Sequence, residues 1–334
     1  MAKQSKKIYS ELISRIALVL LINQGLLLLL STVLATLEGL CKATYRTPLA
    51  FDFVFRACEC IVYFVSFVVP MNIFKKMNKN SEHEIYEPLE TSKASTAQGI
   101  YMLGIGLGAT FVATYLNYLF VNAFSNYAEF SQEYLWSVQL EQPYQIIIYF
   151  IYCAIVAPVA EELLFRGAIC KSLEIYGKKT AILLSAILFA LMHTNVEQLL
   201  YSFVAGIFLA WVFVETKSII YPIILHLINN SLSVVGDVIY LKCTPEAYEI
   251  YSDVSSAAVL VLMALGIVGY VASLKKGRSA ISVNAMKPDE NGEEVLPLTK
   301  NEKIAGFFTT RMIIFVLYSL ITMIYYVYLS TQLI

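Results

Sequence analysis

The sequence predicts an all-α protein, a polytopic membrane helical bundle of about nine transmembrane helices, eight to nine by the length of its apolar runs. Three observations carry that expectation. Of the 334 residues, 58% are hydrophobic and only 15% charged, against roughly a quarter charged in an ordinary soluble domain, which excludes a soluble cytosolic enzyme. The apolar residues gather into runs close to the ~20 residues that a helix needs to cross a hydrocarbon layer. The basic residues between the runs fall almost wholly on alternate segments, as the cytoplasmic bias of Lys and Arg requires. With 24 Lys and Arg against 25 Asp and Glu, no basic surface exists to grip nucleic acid. The expected surroundings are the lipid bilayer.

The first run, 16 to 37, follows Lys3, Lys6 and Lys7. It has no small-residue cleavage site and contains Asn23 and Gln24, so it reads as a retained anchor. The second and third, 53 to 74 and 99 to 124, are separated by a polar stretch, 75 to 98, that carries Pro88. Gly104, Gly106 and Gly108 make no dinucleotide fingerprint, since no strand precedes them and the spacing is wrong; Gly104 with Gly108 is a small-xxx-small helix contact. Four runs follow, at 144 to 170, 180 to 193, 198 to 214 and 219 to 241, then two more at 256 to 274 and 312 to 331. The polar stretch 275 to 305 between the last two carries Pro288, Asn291, Gly292 and Pro297, and reads as a cytoplasmic loop. With the N-terminus cytoplasmic, the outer connecting segments hold only Lys42, Arg46 and Lys242, and the segment 125 to 143 holds Glu129, Glu133 and Glu141 with no base. The C-terminus then lies outside. No repeat of fixed period is visible, which weakens a transporter of two matching halves. The six Cys form no CxxC pair and imply neither a disulfide framework nor a zinc knuckle.

Ionisable groups at membrane depth are expensive, so each is a functional candidate. Here they cluster in Glu161, Glu162 and Arg166 of the fourth run, His193 at the end of the fifth, and His226 with Asn229 and Asn230 in the seventh. The remaining histidine, His83, sits in a charged loop and reads as solvated. Glu162 and Arg166 stand four apart and can pair on one helix face. Glu161 points about 100° away with no dedicated partner, the desolvated position that suits a general base. His226 and Asn230 are also four apart and project side by side, as two donors holding a developing oxyanion would; Asn229 points elsewhere. A Glu-Arg pair at a helix end is ordinarily an interfacial salt bridge, and a lone intramembrane His a packing contact. Two His, a spare Glu and an Asn on neighbouring runs fit neither description. Neither imidazole shows a clear second-shell carboxylate, and HExxH, GxSxG and P-loop motifs are all missing.

The three patterns, EExxxR at Glu161 to Arg166, FxxxH at Phe189 to His193 and HxxxN at His226 to Asn230, resemble the CAAX prenyl protease and bacteriocin-processing family, also called CPBP, Abi or type II CAAX endopeptidases. The resemblance covers about 144 to 236, including Gly206, Trp211, Thr216 and Pro222. It implies a membrane endopeptidase with a polar catalytic cavity open to the cytoplasm and to lipid. Residues 1–143 would be family-specific N-terminal helices and loops, 144–241 the catalytic core, and 242–334 C-terminal helices. By motif position Glu161 and His193 would activate water, and His226 with Asn230 would hold the oxyanion. Glu162, Arg166 and Phe189 would support them. No cofactor is favoured, because no helix offers paired His at i, i+4 and neither imidazole has a clear supporting carboxylate; the alternative is a zinc ion on Glu161, His193 and His226.

The implied partner is a membrane-associated peptide or protein, either a pheromone or bacteriocin precursor or a lipidated C-terminal tail. The sequence looks bacterial, which favours the precursor and places the chain in a bacterial cytoplasmic membrane. Two rival readings remain from other classes. One is a non-proteolytic scaffold or bacteriocin immunity protein, and the other is a proton-coupled carrier using the buried Glu and His as a relay.

Overall fold

The computed structural model describes residues 2–45, 49–79, 96–124, 140–275 and 298–331. Every regular element among them is helical: α1 (Ala2–Tyr45), α2 (Leu49–Lys79), α3 (Thr96–Phe124), α4 (the continuous helical stretch Pro143–Tyr176), α5 (Lys178–Met192), α6 (Val196–Thr216), α7 (Ile220–Lys242), α8 (Pro245–Lys275), α9 (Lys300–Phe307) and α10 (Thr310–Thr331). Local chemistry sets several boundaries. Asn195 Oδ1 accepts the Glu197 N–H at 2.8 Å to open α6, and Lys217 closes that helix in the left-handed region at φ 55. Thr299 and Glu302 form a capping box at the start of α9, whose backbone and hydroxyl hydrogen bonds hold the exposed Glu302 carboxyl below its usual range.

Among the described residues eight helices are long and apolar enough to cross a membrane, and the chain is a multi-pass membrane protein. The fifth apolar run decides between the expected eight and nine: α5 has 15 residues, a rise of about 22 Å, short of a full crossing. It turns at residues 193–195 and packs antiparallel on α6. Lys178 Nζ meets Glu215 Oε1 at 3.0 Å at the open end of this hairpin, and a Cβ on Gly206 would meet Ala186 Cα at 3.1 Å. Because the hairpin enters and leaves at the same end, later helices keep the alternation of nine runs. Two further runs are longer than their apolar cores, since α1 starts at Ala2 and α8 at Pro245.

The basic segments collect at one end of the bundle. Arg15 Nη1 donates to Asn78 Oδ1 at 3.0 Å, Lys217 Nζ meets Glu174 Oε2 at 2.5 Å, and Lys303 Nζ meets Thr180 Oγ1 at 3.1 Å. Arg56, Glu59, Asp52, Tyr144 and Gln145 form a second polar network toward the opposite end, with Arg56 Nη1 to Glu59 Oε1 at 2.8 Å. His83 and the loop bases Lys93, Arg278 and Lys287 lie outside the described residues, as do Glu129 and Glu133.

Helix α4 is central and packs on α2, α5, α6 and α7. The expected Gly104/Gly108 contact forms between α3 and α8, where a Cβ on Gly104 would lie 2.5 Å from the Leu262 carbonyl oxygen. Exposed apolar side chains such as Leu265, Val268, Ile321 and Ile324 cover the outward faces of α8 and α10, which suits helices surrounded by lipid.

A proline interrupts α2. Pro70 has no N–H to give the Ser66 carbonyl one turn back, and an unpaired carbonyl in a water-poor interior is costly. Asn23 of α1 repairs the gap, its Nδ2 donating to Ser66 O at 2.8 Å. Its neighbour Gln24 donates from Nε2 to Met192 O at 2.9 Å, satisfying the C-terminal end of α5 immediately before His193. The two polar residues of the first run therefore serve other helices' backbones.

Candidate active site

The site grows from irregularities in α4. Two wider π turns, Ile151–Val156 and Phe165–Cys170, flank the α-helical segment Ala157–Leu164 that carries both glutamates; such turns are frequent at functional sites. In the first of them the Ala157 N–H bonds the Tyr152 carbonyl, five residues back. The next residue, Pro158, has no N–H, so the Cys153 carbonyl is left without a helical donor. Asn230 of α7 takes it, Nδ2 to Cys153 O at 2.9 Å, while Asn229 Nδ2 approaches Asn230 Oδ1 at 3.4 Å. These contacts fix which end of the Asn230 amide is which. One Nδ2 hydrogen holds Cys153, and the other remains to be offered to a ligand. Asn229 also donates to the Tyr201 hydroxyl of α6, so it joins this polar group where the sequence had it pointing elsewhere.

One turn and more along α4, Glu162 and Arg166 are both fully buried, with Arg166 Nη1 on Glu162 Oε1 at 3.0 Å, as their four-residue spacing predicts. Arg166 Nη2 also reaches Gly206 O at 3.2 Å, and its guanidinium carbon lies 4.5 Å from the centre of the Phe189 ring. The pair is not isolated. His226 Nδ1 lies 2.9 Å from the same Glu162 Oε1. Glu162 is thus the orienting carboxylate of His226, which the sequence did not reveal because the two residues are 64 positions apart. His193 is oriented differently, by Nδ1 on the Phe189 carbonyl at 2.7 Å. Since a carbonyl only accepts, His193 carries its hydrogen on Nδ1; an ionised Glu162 imposes the same on His226. On both rings Nε2 is the nitrogen left for chemistry.

Glu161 is 5% exposed and His226 8%. Glu161 Oε2 stands 3.9 Å from His226 Nε2, beyond hydrogen-bond reach. Its other oxygen is held: Tyr63 Oη, from α2, donates to Glu161 Oε1 at 2.5 Å. The expectation of a glutamate with no dedicated partner is therefore corrected, because α2 brings a phenol to it. A sequence signal existed in the stripe Asp52, Arg56, Glu59, Tyr63, whose 4-3-4 spacing marks one helix face.

The structure brings Glu161, Glu162, Arg166, His226 and Asn230 together on α4 and α7. It joins His193 to them through Phe189, whose ring stands edge-on to His193 at 4.8 Å and to His226 at 6.0 Å between centroids. No hydrogen bond or ion pair links His193 to Glu161 among the described residues. Free Nε2 lone pairs are the form a zinc ion accepts. Yet no three His, Cys, Asp or Glu side chains among the described residues converge closely enough to hold a metal ion.

Residues 143–232 match the family described as type II CAAX prenyl endopeptidase, Rce1-like. That bears out, over this stretch, the resemblance carried by the three motifs, and the family is one of membrane endopeptidases. The chain is also 38% identical over 73 residues to UPF0177 protein YxdF of Lactococcus lactis subsp. lactis (strain IL1403), covering 22% of this chain and 40% of that protein. The chain therefore spans less than half of that relative's length. No solved structure matches it.

Proposed function

We propose that this protein is a membrane endopeptidase that hydrolyses a peptide bond with a water activated by Glu161. The observation that carries the reading is the pairing of Glu161 Oε2 with His226 Nε2 across 3.9 Å, inside the segment that matches an endopeptidase family. Glu161 Oε2 and His193 Nε2 are the bases. They take a proton from water as its oxygen attacks the carbonyl carbon, and the same proton then goes to the departing amine. The oxyanion that forms accepts from the second Nδ2–H of Asn230 and from His226 Nε2–H. Because Nδ1 of His226 is engaged by Glu162, Nε2 can donate only when the ring is an imidazolium. No step of this route needs a metal.

The substrate of this reading is a membrane-associated peptide or protein, with or without a lipid, presented from a polar cavity open to the cytoplasm. The gathering of basic residues at one end of the bundle supports an N-terminus in the cytoplasm, and the sequence's character favours a bacterial cytoplasmic membrane. Secreted and membrane-associated peptides from cells expressing wild type or Glu161→Ala at matched levels test the proposal. A defined product should vanish in the variant while its precursor accumulates. Identical profiles with the cellular phenotype retained would transfer the function to a non-proteolytic scaffold or immunity role.

A further inference from the structure

We propose that Tyr63 is a positioning residue for Glu161, so that a helix outside the matched segment completes the site. The inference rests on the reading of Glu161 as the water-activating base. A carboxylate has no hydrogen to give, so in the 2.5 Å contact the phenol donates and Glu161 Oε1 accepts. The Tyr63 ring is itself held from two helices. It lies 4.8 Å from Phe67 of α2 and 5.2 Å, edge to face, from Tyr152 of α4. Its hydroxyl therefore reaches Glu161 from a fixed place.

That bond does two things. The terminal torsion of a glutamate is broad and nearly two-fold, so an unanchored carboxylate would present either oxygen to the site. With Oε1 engaged, Oε2 alone faces His226 Nε2. With the phenol's hydrogen on it, Oε1 can take a further hydrogen only if the phenol turns away, so the bond also guards that oxygen. The same face of α2 is fastened to α4 further along, where Tyr144 Oη donates to Asp52 Oδ2 at 2.8 Å. The register of α2 on α4 is thus set away from the site, and Tyr63 arrives opposite Glu161 as a consequence.

Tyr63→Phe in the full-length protein keeps the ring and removes the donor. Membranes of wild type and variant are treated with dicyclohexylcarbodiimide at one neutral pH, and the label on each glutamate is measured by mass spectrometry. The reagent attacks protonated carboxyls, so label on Glu161 should rise several-fold in Tyr63→Phe while label on Glu59, one turn before Tyr63 on α2, stays constant. Unchanged label on Glu161 overturns the proposal. So does a parallel rise at both sites, which would mean that the helices have merely loosened. On the peptide whose cleavage depends on Glu161, kcat should fall roughly 10- to 100-fold, the effect of one hydrogen bond to a charged group, with KM within about twofold. In a Glu161→Gln background the same change should cost nothing further. An unaltered kcat also overturns the positioning role. Should wild type cleave no peptide, the peptidase reading falls, and the label ratio alone still decides whether Tyr63 holds Glu161.

Discussion

Two prolines in this molecule create the same defect and receive the same repair, with different consequences. Pro70 in α2 leaves the Ser66 carbonyl without a donor, and Asn23 supplies one. Pro158 in α4, next to a π turn, leaves the Cys153 carbonyl without a donor, and Asn230 supplies one. Asn23 is wholly buried and its Oδ1 has no partner. Asn230 is half-buried, one helical turn from His226, with its amide orientation set by Asn229. A polar residue in a membrane helix is thus not by itself a sign of chemistry. It becomes one where the amide keeps a second donor and has titratable neighbours to share it with.

The largest expected effect sharpens this contrast at its centre. Glu161→Gln should lower turnover by about 10²- to 10⁴-fold, read on the peptide that wild type cleaves, with the protein still folded. Asn230→Ala should follow at about 10²- to 10³-fold, the usual loss of one oxyanion donor. Asn23→Ala should leave turnover per folded molecule within a few-fold and instead lower stability by about 1–3 kcal/mol, the penalty of a buried carbonyl left unpaired, seen as a lower melting temperature in detergent. Equal losses of turnover in the two asparagine variants would break the distinction between the repairs.

Glu162→Gln probes the link between the two regions. It removes one partner from a fully buried Glu-Arg pair, for which about 3–5 kcal/mol of stability is the ordinary cost, and it also frees His226 from its orienting carboxylate. Thermal unfolding and turnover should fall together. Replacing Glu162 and Arg166 jointly with apolar residues should restore much of the stability without restoring turnover, because His226 still lacks its carboxylate. The smallest effect is expected from strong chelators, which should leave cleavage unchanged; loss of activity, with recovery on adding zinc, would reinstate the metal reading on Glu161, His193 and His226.

Much of this was legible in the sequence because helical neighbours are fixed by local geometry. Residues three or four apart lie about 5–6 Å from each other on any helix, so the Glu162–Arg166 pair and the shared face of His226 and Asn230 needed no tertiary information. Length and apolarity likewise specified the bundle, and Gly104 with Gly108 announced a close helix contact. The sequence left the full crossings at eight to nine because α5 is apolar enough to span and too short to do so, a fact that depends on where the chain turns at His193 to Asn195. A proline in a helix predicts a stranded carbonyl, so the defects at Ser66 and Cys153 were implied by Pro70 and, with the π turn, by Pro158.

Which side chain answers each defect was decided only by tertiary structure. Asn23 reaches Ser66 across 43 positions, Glu162 reaches His226 across 64, and Tyr63 reaches Glu161 across 98. Lipid supplies no water to satisfy these groups, so each must find a protein partner, but periodicity along one helix carries no record of the register between two. That register is set by the packing of α2 and α7 on α4, and it is what turned a list of candidate residues into a site with an oriented carboxylate, an oriented imidazole and an oriented amide.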